Sequence, residues 1–165
     1  MTVSNSYFHD HWEASLARHF DSNLDEDTGR LRVTYNNKYV RYDSFQARVL
    51  TNYRSYWYNI KSHTPSILSG TGHIYNSYFL DVSNGINTRD GAQVLVQSNV
   101  WAGTVSKPLY STDSGYAVAS GNDFGGKANE ALVGTLTTVP YSYTLLGSPR
   151  VYDTVCNTAG ATLSF

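Results

Sequence analysis

The chain has 165 residues, which is enough for one domain with a sizeable core. Its formal net charge of −1 gives no reason to expect nucleic acid or an anionic membrane surface as a partner. No stretch approaches ~18 consecutive apolar residues, so no transmembrane helix is predicted, and residues 1–11 lack the basic and apolar regions of a signal peptide.

Aromatic residues recur at a regular interval along the middle of the chain. Four of them are 22, 22 and 23 residues apart: Trp57, Phe79, Trp101 and Phe124. Two positions before the last three stand Ser77, Asn99 and Asn122, which predicts a ladder of polar side chains. Within a unit, alternation such as QVLVQ at residues 93–97 is typical of a strand. Short strands repeated every ~20–25 residues predict a β-solenoid, in which successive coils stack strand on strand.

In chain order, the first predicted strand covers residues 2–8 and places Ser6 on the ladder. The second is predicted at residues 31–37 and places Lys38 there. Lys38 is 39 residues from Ser77, where 22 are expected, and residues 40–56 account for the excess. We therefore expect residues 40–56 to be an inserted segment that leaves the solenoid as a loop. A second hypothesis is that an unspliced intron encodes this segment.

Further strands are predicted near residues 72–78, 93–98 and 116–119. From Lys127 the period is lost. We expect residues 127–165 to form a C-terminal tail that packs on the side of the solenoid or caps its end, because an open last coil would expose strand edges. Residues 1–165 are thus interpreted as a single domain.

Several motifs occur in an order that resembles a known family. They are TVSNSYFHDHWEASL, GTGHIYNSYF, NTRDGAQVLVQSNV and the tail VPYSYTLLG. Together they are similar to the pectate/pectin lyase superfamily, specifically to fungal pectate lyases, over nearly all of the chain except residues 40–56. The resemblance implies an all-β, right-handed parallel β-helix, of which this chain looks like the C-terminal part, truncated at the N-terminus. It also implies β-eliminative cleavage of polygalacturonate in pectin, with calcium as cofactor, outside the cell.

The resemblance further indicates which residues occupy the catalytic positions. The family uses a lysine after an H-D-H-aromatic sequence, and two arginines in an R-x-P-x-x-R segment, the first of them as the base. Here Glu13 stands at the lysine position, and His63 and Leu68 stand at the two arginine positions. In the family, these cations would neutralise the uronate carboxylate in the transition state. Because none of the three positions holds a lysine or an arginine here, we expect impaired catalysis. The family's calcium-binding acids fall mostly upstream of such a strand, so calcium ligands are expected to be missing and no metal site is predicted.

Individual residues carry alternative interpretations. His63 could still act as a base, since an imidazole with a pKa near ~6.5 suits neutral pH, or it could be a strand-end histidine without a role. Arg89 and Lys107 lie near predicted bends. They are interpreted either as substrate-binding residues or as solvated charges. His9 and His11 have a spacing that can bind a metal, but the family resemblance makes them structural.

Two classes of function follow. The first is a pectate lyase, of which this chain is a fragment or a divergent copy. The second is a non-catalytic β-helix protein that binds pectin, or a fragment with no function. A pectin hydrolase of the polygalacturonase type is set aside, because Gly72-His73 is followed by Ile74 and not by the glycine of a Gly-His-Gly segment.

Overall fold

A computed structural model describes residues 2–17 and 49–160. Within these ranges the strands form three sheets, named A, B and C here. Sheet A contains β1 (Thr2–Ser4), β4 (Val49–Tyr53), β7 (Thr71–Tyr75), β10 (Gln93–Gln97), β13 (Tyr116–Ser120) and β15 (Leu132–Val133). Sheet B contains β2 (Tyr7–His9), β5 (Tyr56–Ile60), β8 (Tyr78–Val82) and β11 (Val100–Ala102). Sheet C contains β3 (Leu16–Ala17), β6 (Ser66–Leu68), β9 (Asn84–Arg89), β12 (Lys107–Ser111) and β14 (Asn129–Glu130).

Each coil passes through sheets A, B and C in turn and then returns to sheet A one rung further along. Neighbouring strands within the described ranges are parallel. The fold is therefore a right-handed parallel β-helix, as predicted. The strands expected near residues 72–78, 93–98 and 116–119 are confirmed by β7, β10 and β13. The strand expected at residues 2–8 is instead two short strands, β1 and β2, which belong to different sheets because the chain bends between them. The strand expected at residues 31–37, with Lys38, lies outside the described residues.

One aromatic side chain from each coil fills the interior beside sheet B. The ring centroids are 4.3 Å apart for Phe8–Trp57, 5.9 Å for Trp57–Phe79, 4.6 Å for Phe79–Trp101 and 5.2 Å for Trp101–Phe124. These separations follow from the ~4.8 Å spacing between parallel strands. The predicted aromatic alignment is confirmed, and the three middle rings are at most 1% exposed.

The bend between sheets A and B carries the polar ladder. The Asn99 side-chain oxygen accepts the Ser77 backbone N–H at 2.9 Å, and the Asn122 side-chain oxygen accepts the Asn99 backbone N–H at 2.9 Å. The Asn99 amide group donates to the Ile74 carbonyl at 2.9 Å. Buried backbone groups at a bend need such partners. The predicted ladder of Ser77, Asn99 and Asn122 is therefore confirmed.

The expectation that residues 40–56 form a loop is wrong for residues 49–56. Val49–Tyr53 is β4, which pairs with β7 at an offset of 22 residues. The Ser55 N–H lies 3.4 Å from Ser77 Oγ, so Ser55, rather than Lys38, occupies the ladder position next to Ser77. Tyr56 and Trp57 then pair with the first strand of sheet B, at Tyr7 and Phe8. Residues from Val49 onward thus belong to the regular coil, and residues 40–48 lie outside the described residues.

The end of the described chain runs back along the coil. β14 and β15 still add rungs to sheets C and A, so the coil continues past Lys127. The following residues cross the outer face of sheet A, and helix α1 (Ser148–Cys156) then packs on sheet B. Val151 and Val155, one helical turn apart, are buried against Tyr78. No helix among the described residues is long and apolar enough to cross a membrane.

Candidate functional site

The bend from sheet B to sheet C brings together two of the predicted site residues. Glu13 belongs to the first coil and His63 to the second, and the two coils pair in parallel at Glu13 and Ser62. Backbone hydrogen bonds hold the bend: Ser62 N–H donates to the Trp12 carbonyl and Ser15 N–H to the His63 carbonyl, both at 2.9 Å. The position of His63 relative to Glu13 is therefore set by the sheet-like pairing of the coils.

The His63 Nδ1 atom lies 3.2 Å from Glu13 Oε1. The Glu13 side chain is 55% exposed, whereas that of His63 is 17% exposed. Nδ1 itself is buried and, among the described residues, has no partner in hydrogen-bond geometry, so the contact is an ion pair by distance only. The carboxylate and the ring nitrogen are close enough for charge attraction, but they are not aligned for a hydrogen bond. Chemically, this arrangement can hold or accept a proton.

Leu68 and Arg89 occupy matching positions in adjacent strands of sheet C, at the ends of β6 and β9. Arg89 is bonded to the carboxylate of Asp113, with its Nε at 3.2 Å and its Nη2 at 3.0 Å from the same oxygen. Leu68, which stands at the second family arginine position, supplies no donor to this surface. Arg89 therefore lies beside Leu68 on sheet C, but the Asp113 carboxylate already pairs with its charge.

Lys107 lies further along sheet C and also has an acidic neighbour. Its Nζ is 3.2 Å from Glu130 Oε2 and 5.5 Å from the centre of the Tyr110 ring. Both side chains of the Lys107–Glu130 pair are about half exposed, so the pair is weak and open to exchange with a charged ligand. The five predicted site residues thus all lie on sheet C or its leading bend, but only Glu13 and His63 form a charged contact with each other.

His9, one of the two histidines considered for metal binding, pairs with Asp10. His9 Nδ1 lies 2.9 Å from Asp10 Oδ2, and this hydrogen bond is the main reason that the pKa of Asp10 is lowered. Among residues 2–17 and 49–160, no three His, Cys, Asp or Glu side chains are grouped so that they could hold a metal ion. The carboxylates nearest the candidate site, on Glu13, Asp113 and Glu130, each face a basic side chain. These carboxylates are therefore occupied by basic side chains, and we assign no calcium ligand among the described residues.

Two exposed residues on the same bend were missed from the sequence. Trp12 is 76% exposed and precedes Glu13, while Lys61 is exposed and lies two residues before His63. Their positions within HDHWE and NIKSHTP are visible in the sequence. Their proximity across two coils is not, because it depends on the register between those coils.

Comparison with known proteins agrees with the fold. The family model described as pectate lyase matches residues 1–163. The chain belongs to the pectate lyase family. It is 60% identical over all 165 residues to the probable pectate lyase A of Aspergillus fumigatus and 56% identical to pectate lyase A of Aspergillus niger. It spans 46% of the length of each of these curated relatives.

Solved pectate lyase structures show the same coil. A pectate lyase from Bacillus sp. N165 in complex with trigalacturonate superposes with a TM-score of 0.71 at 26% identity, covering 96% of this chain and 48% of that one. Pectate lyase II from Xanthomonas campestris superposes with a TM-score of 0.68 at 23% identity, covering 97% of this chain and 48% of that one. The second likeness concerns the fold alone.

Proposed function

We propose that this chain binds polygalacturonate on the outer face of sheet C and its leading bend, and that its capacity for β-elimination is impaired. The observation that carries the proposal is the 3.2 Å contact between Glu13 and His63. The resemblance to pectate lyases places a lysine and the arginine base at these two positions. Here a carboxylate and an imidazole face each other instead.

The chemistry of elimination explains why this exchange matters. Removing the proton next to a uronate carboxylate builds negative charge, which positioned cations must stabilise. Glu13 contributes a negative charge, and Leu68 contributes none. Arg89 and Lys107 are each neutralised by a carboxylate neighbour. The three family positions, Arg89 and Lys107 therefore supply no unpaired positive charge to stabilise the transition state, even though His63 could accept a proton.

Pectin as the substrate, calcium as a cofactor and an extracellular location are proposed from the family relationship. Calcium would neutralise substrate carboxylates when bound. The described carboxylates near the candidate site are paired with basic side chains, so we propose none of them as a calcium ligand. No step in this proposal depends on calcium.

The proposal is tested by restoring the family cations in the same chain. The variant Glu13→Lys/His63→Arg/Leu68→Arg is expected to release unsaturated product from polygalacturonate, measured by ultraviolet absorbance, faster than the parent chain. A matched control adds the same charge on exposed residues around α1, as Asp153→Lys/Tyr152→Arg/Asn157→Arg. Equal product from the restored variant, the control and the parent would contradict the assignment of these three positions.

A second candidate is a non-catalytic β-helix protein that binds pectin. The carboxylate of Glu13 favours it, because a negative charge at this position cannot stabilise the anionic transition state of elimination. If the restored variant binds polygalacturonate in calorimetry but stays inactive, even when joined to the N-terminal half of a family member, this candidate is preferred to the lyase.

A further inference from the structure

Trp12 and Lys61 lie opposite each other on adjacent coils. The bridge between Glu13 and Ser62 sets the register of the bend, so the preceding residues, Trp12 and Lys61, form the next pair. Two hydrogen bonds fix this register: Lys61 N–H donates to the His11 carbonyl at 3.2 Å, and Ser62 N–H donates to the Trp12 carbonyl at 2.9 Å. The two backbones are therefore about one strand spacing apart, ~4.8 Å.

Trp12 is exposed in a way that the other tryptophans are not. It is 76% exposed, whereas Trp57 and Trp101 are 0% and 1% exposed. A large exposed indole leaves apolar surface in water, and in proteins such residues are often anchors for a ligand or a partner. Its neighbours on the bend are polar, so Trp12 is a single aromatic platform rather than part of an apolar patch.

Lys61 supplies a cation beside this platform. It is exposed, and no described residue forms an ion pair with it. Arg89 and Lys107, the cations predicted from the sequence, are both paired with carboxylates. On this bend, Lys61 is therefore the described cation best placed to meet an anionic ligand without first giving up a protein partner.

We propose that Trp12 and Lys61 form a subsite for one galacturonate unit of an acidic polysaccharide. The apolar C–H face of the sugar ring stacks on the indole, and the uronate carboxylate pairs with the Lys61 ammonium. One strand spacing between the two backbones suits a ligand that presents a ring face and a carboxylate on the same unit. The subsite rests on the proposed function, and it explains how polygalacturonate would be held beside Glu13 and His63.

Tryptophan fluorescence tests the subsite directly. Because Trp57 and Trp101 are buried, quenching by trigalacturonate would report mainly on Trp12. We expect trigalacturonate to change the emission of the wild-type chain with saturation, and a neutral galactose trimer to change it much less. An equal effect of the neutral trimer would contradict the role of Lys61.

Variants separate the two contributions, with affinity measured by calorimetry because Trp12→Ala removes the fluorescent group. Trp12→Ala is expected to weaken trigalacturonate binding about tenfold, and Trp12→Phe less. Lys61→Ala is expected to weaken it about threefold at low salt and to have little effect at high salt, while Lys61→Arg retains binding. Tyr152→Ala, which removes a 55% exposed aromatic on α1, is the matched control and is expected to bind as wild type.

The outcomes distinguish this inference from the proposed function. If the wild-type chain binds trigalacturonate and both Trp12→Ala and Lys61→Ala bind equally well, the subsite is wrong and the proposed function stands. If the wild-type chain does not bind trigalacturonate at all, the proposed polygalacturonate binding fails, and the subsite fails with it. Circular dichroism of each variant checks that the exposed substitutions leave the coil folded.

Discussion

Phe79 and Trp101 stack face to face inside the coil, with ring centroids 4.6 Å apart and ring planes 6° from parallel. Both side chains are at most 1% exposed. The parallel pairing of β8 with β11 places them directly over each other. This contact links two successive coils through their cores as well as through backbone hydrogen bonds.

Removing the Trp101 ring is expected to destabilise the fold strongly. Trp101→Ala should lower the free energy of unfolding by about 3–5 kcal/mol, since it leaves a cavity between Phe79 and Phe124. Trp101→Phe is the control and should cost much less, because it keeps a stacking ring and removes an indole N–H that is buried without a partner among the described residues. Urea denaturation measures both. Equal losses for the two variants would contradict the importance of the stack.

Replacing the ladder residue Asn99 is expected to destabilise the fold more than replacing its ladder neighbour Asn122. Asn99 is fully buried and bonds to Ser77, Ile74 and Asn122. Asn99→Ala should cost on the order of 2–4 kcal/mol, since it leaves buried backbone groups unpaired. Asn122→Ala should cost less, because Asn122 is only half-buried. The comparison is made by thermal and urea unfolding, and the reverse order would contradict the ladder's role in stability.

The buried His73 should make stability depend on pH. Its Nδ1 lies 2.7 Å from Tyr141 Oη and its Nε2 lies 3.1 Å from Gln97 Oε1. The amide oxygen of Gln97 can only accept, so Nε2 carries a proton and donates to it, as the Tyr143 hydroxyl also does. Burial lowers the pKa of His73 to about 4.

The direction in which stability changes with pH follows from this lowered pKa. Between pH ~6.5 and ~4 the unfolded chain binds more protons at this site than the folded chain does. The stability due to neutral His73 is therefore complete above pH ~6.5 and is lost as the pH falls toward 4, by on the order of 3 kcal/mol. His73→Gln should flatten this part of the curve of unfolding free energy against pH. An unchanged slope in the variant would show that other groups produce the dependence.

The repeat could be predicted from sequence because the buried aromatics and ladder residues are spaced at 22 or 23 residues. The loop prediction was wrong for residues 49–56, which lie between Phe8 and Trp57. These two residues stack although they are 49 residues apart. Residues 31–39 and 49–57 both show strand-like alternation. Alternation alone therefore does not predict which segment precedes β7 in its sheet. The repeated tripeptides Ser6-Tyr7-Phe8, Ser55-Tyr56-Trp57 and Ser77-Tyr78-Phe79 indicate that residues 55–57 belong to the coil.

The candidate site was predictable in part. The resemblance identified Glu13 and His63 as family positions, but their contact joins residues on different coils. Such a contact depends on how many residues separate the coils, and the loop prediction was wrong for residues 49–56. The pairing of Trp12 with Lys61 was missed for the same reason. The carboxylate partners of Arg89 and Lys107 also come from later coils.

The most direct measurement is the rate at which the unaltered chain forms unsaturated product from polygalacturonate, followed by ultraviolet absorbance with and without calcium. We expect no useful rate in either condition, because the three family positions hold Glu13, His63 and Leu68 in place of cations. Losing even one preorganised charge stabiliser typically costs ~10²–10³ in rate. Appreciable calcium-dependent product that His63→Ala abolishes would contradict the impaired site and would make His63 the catalytic base.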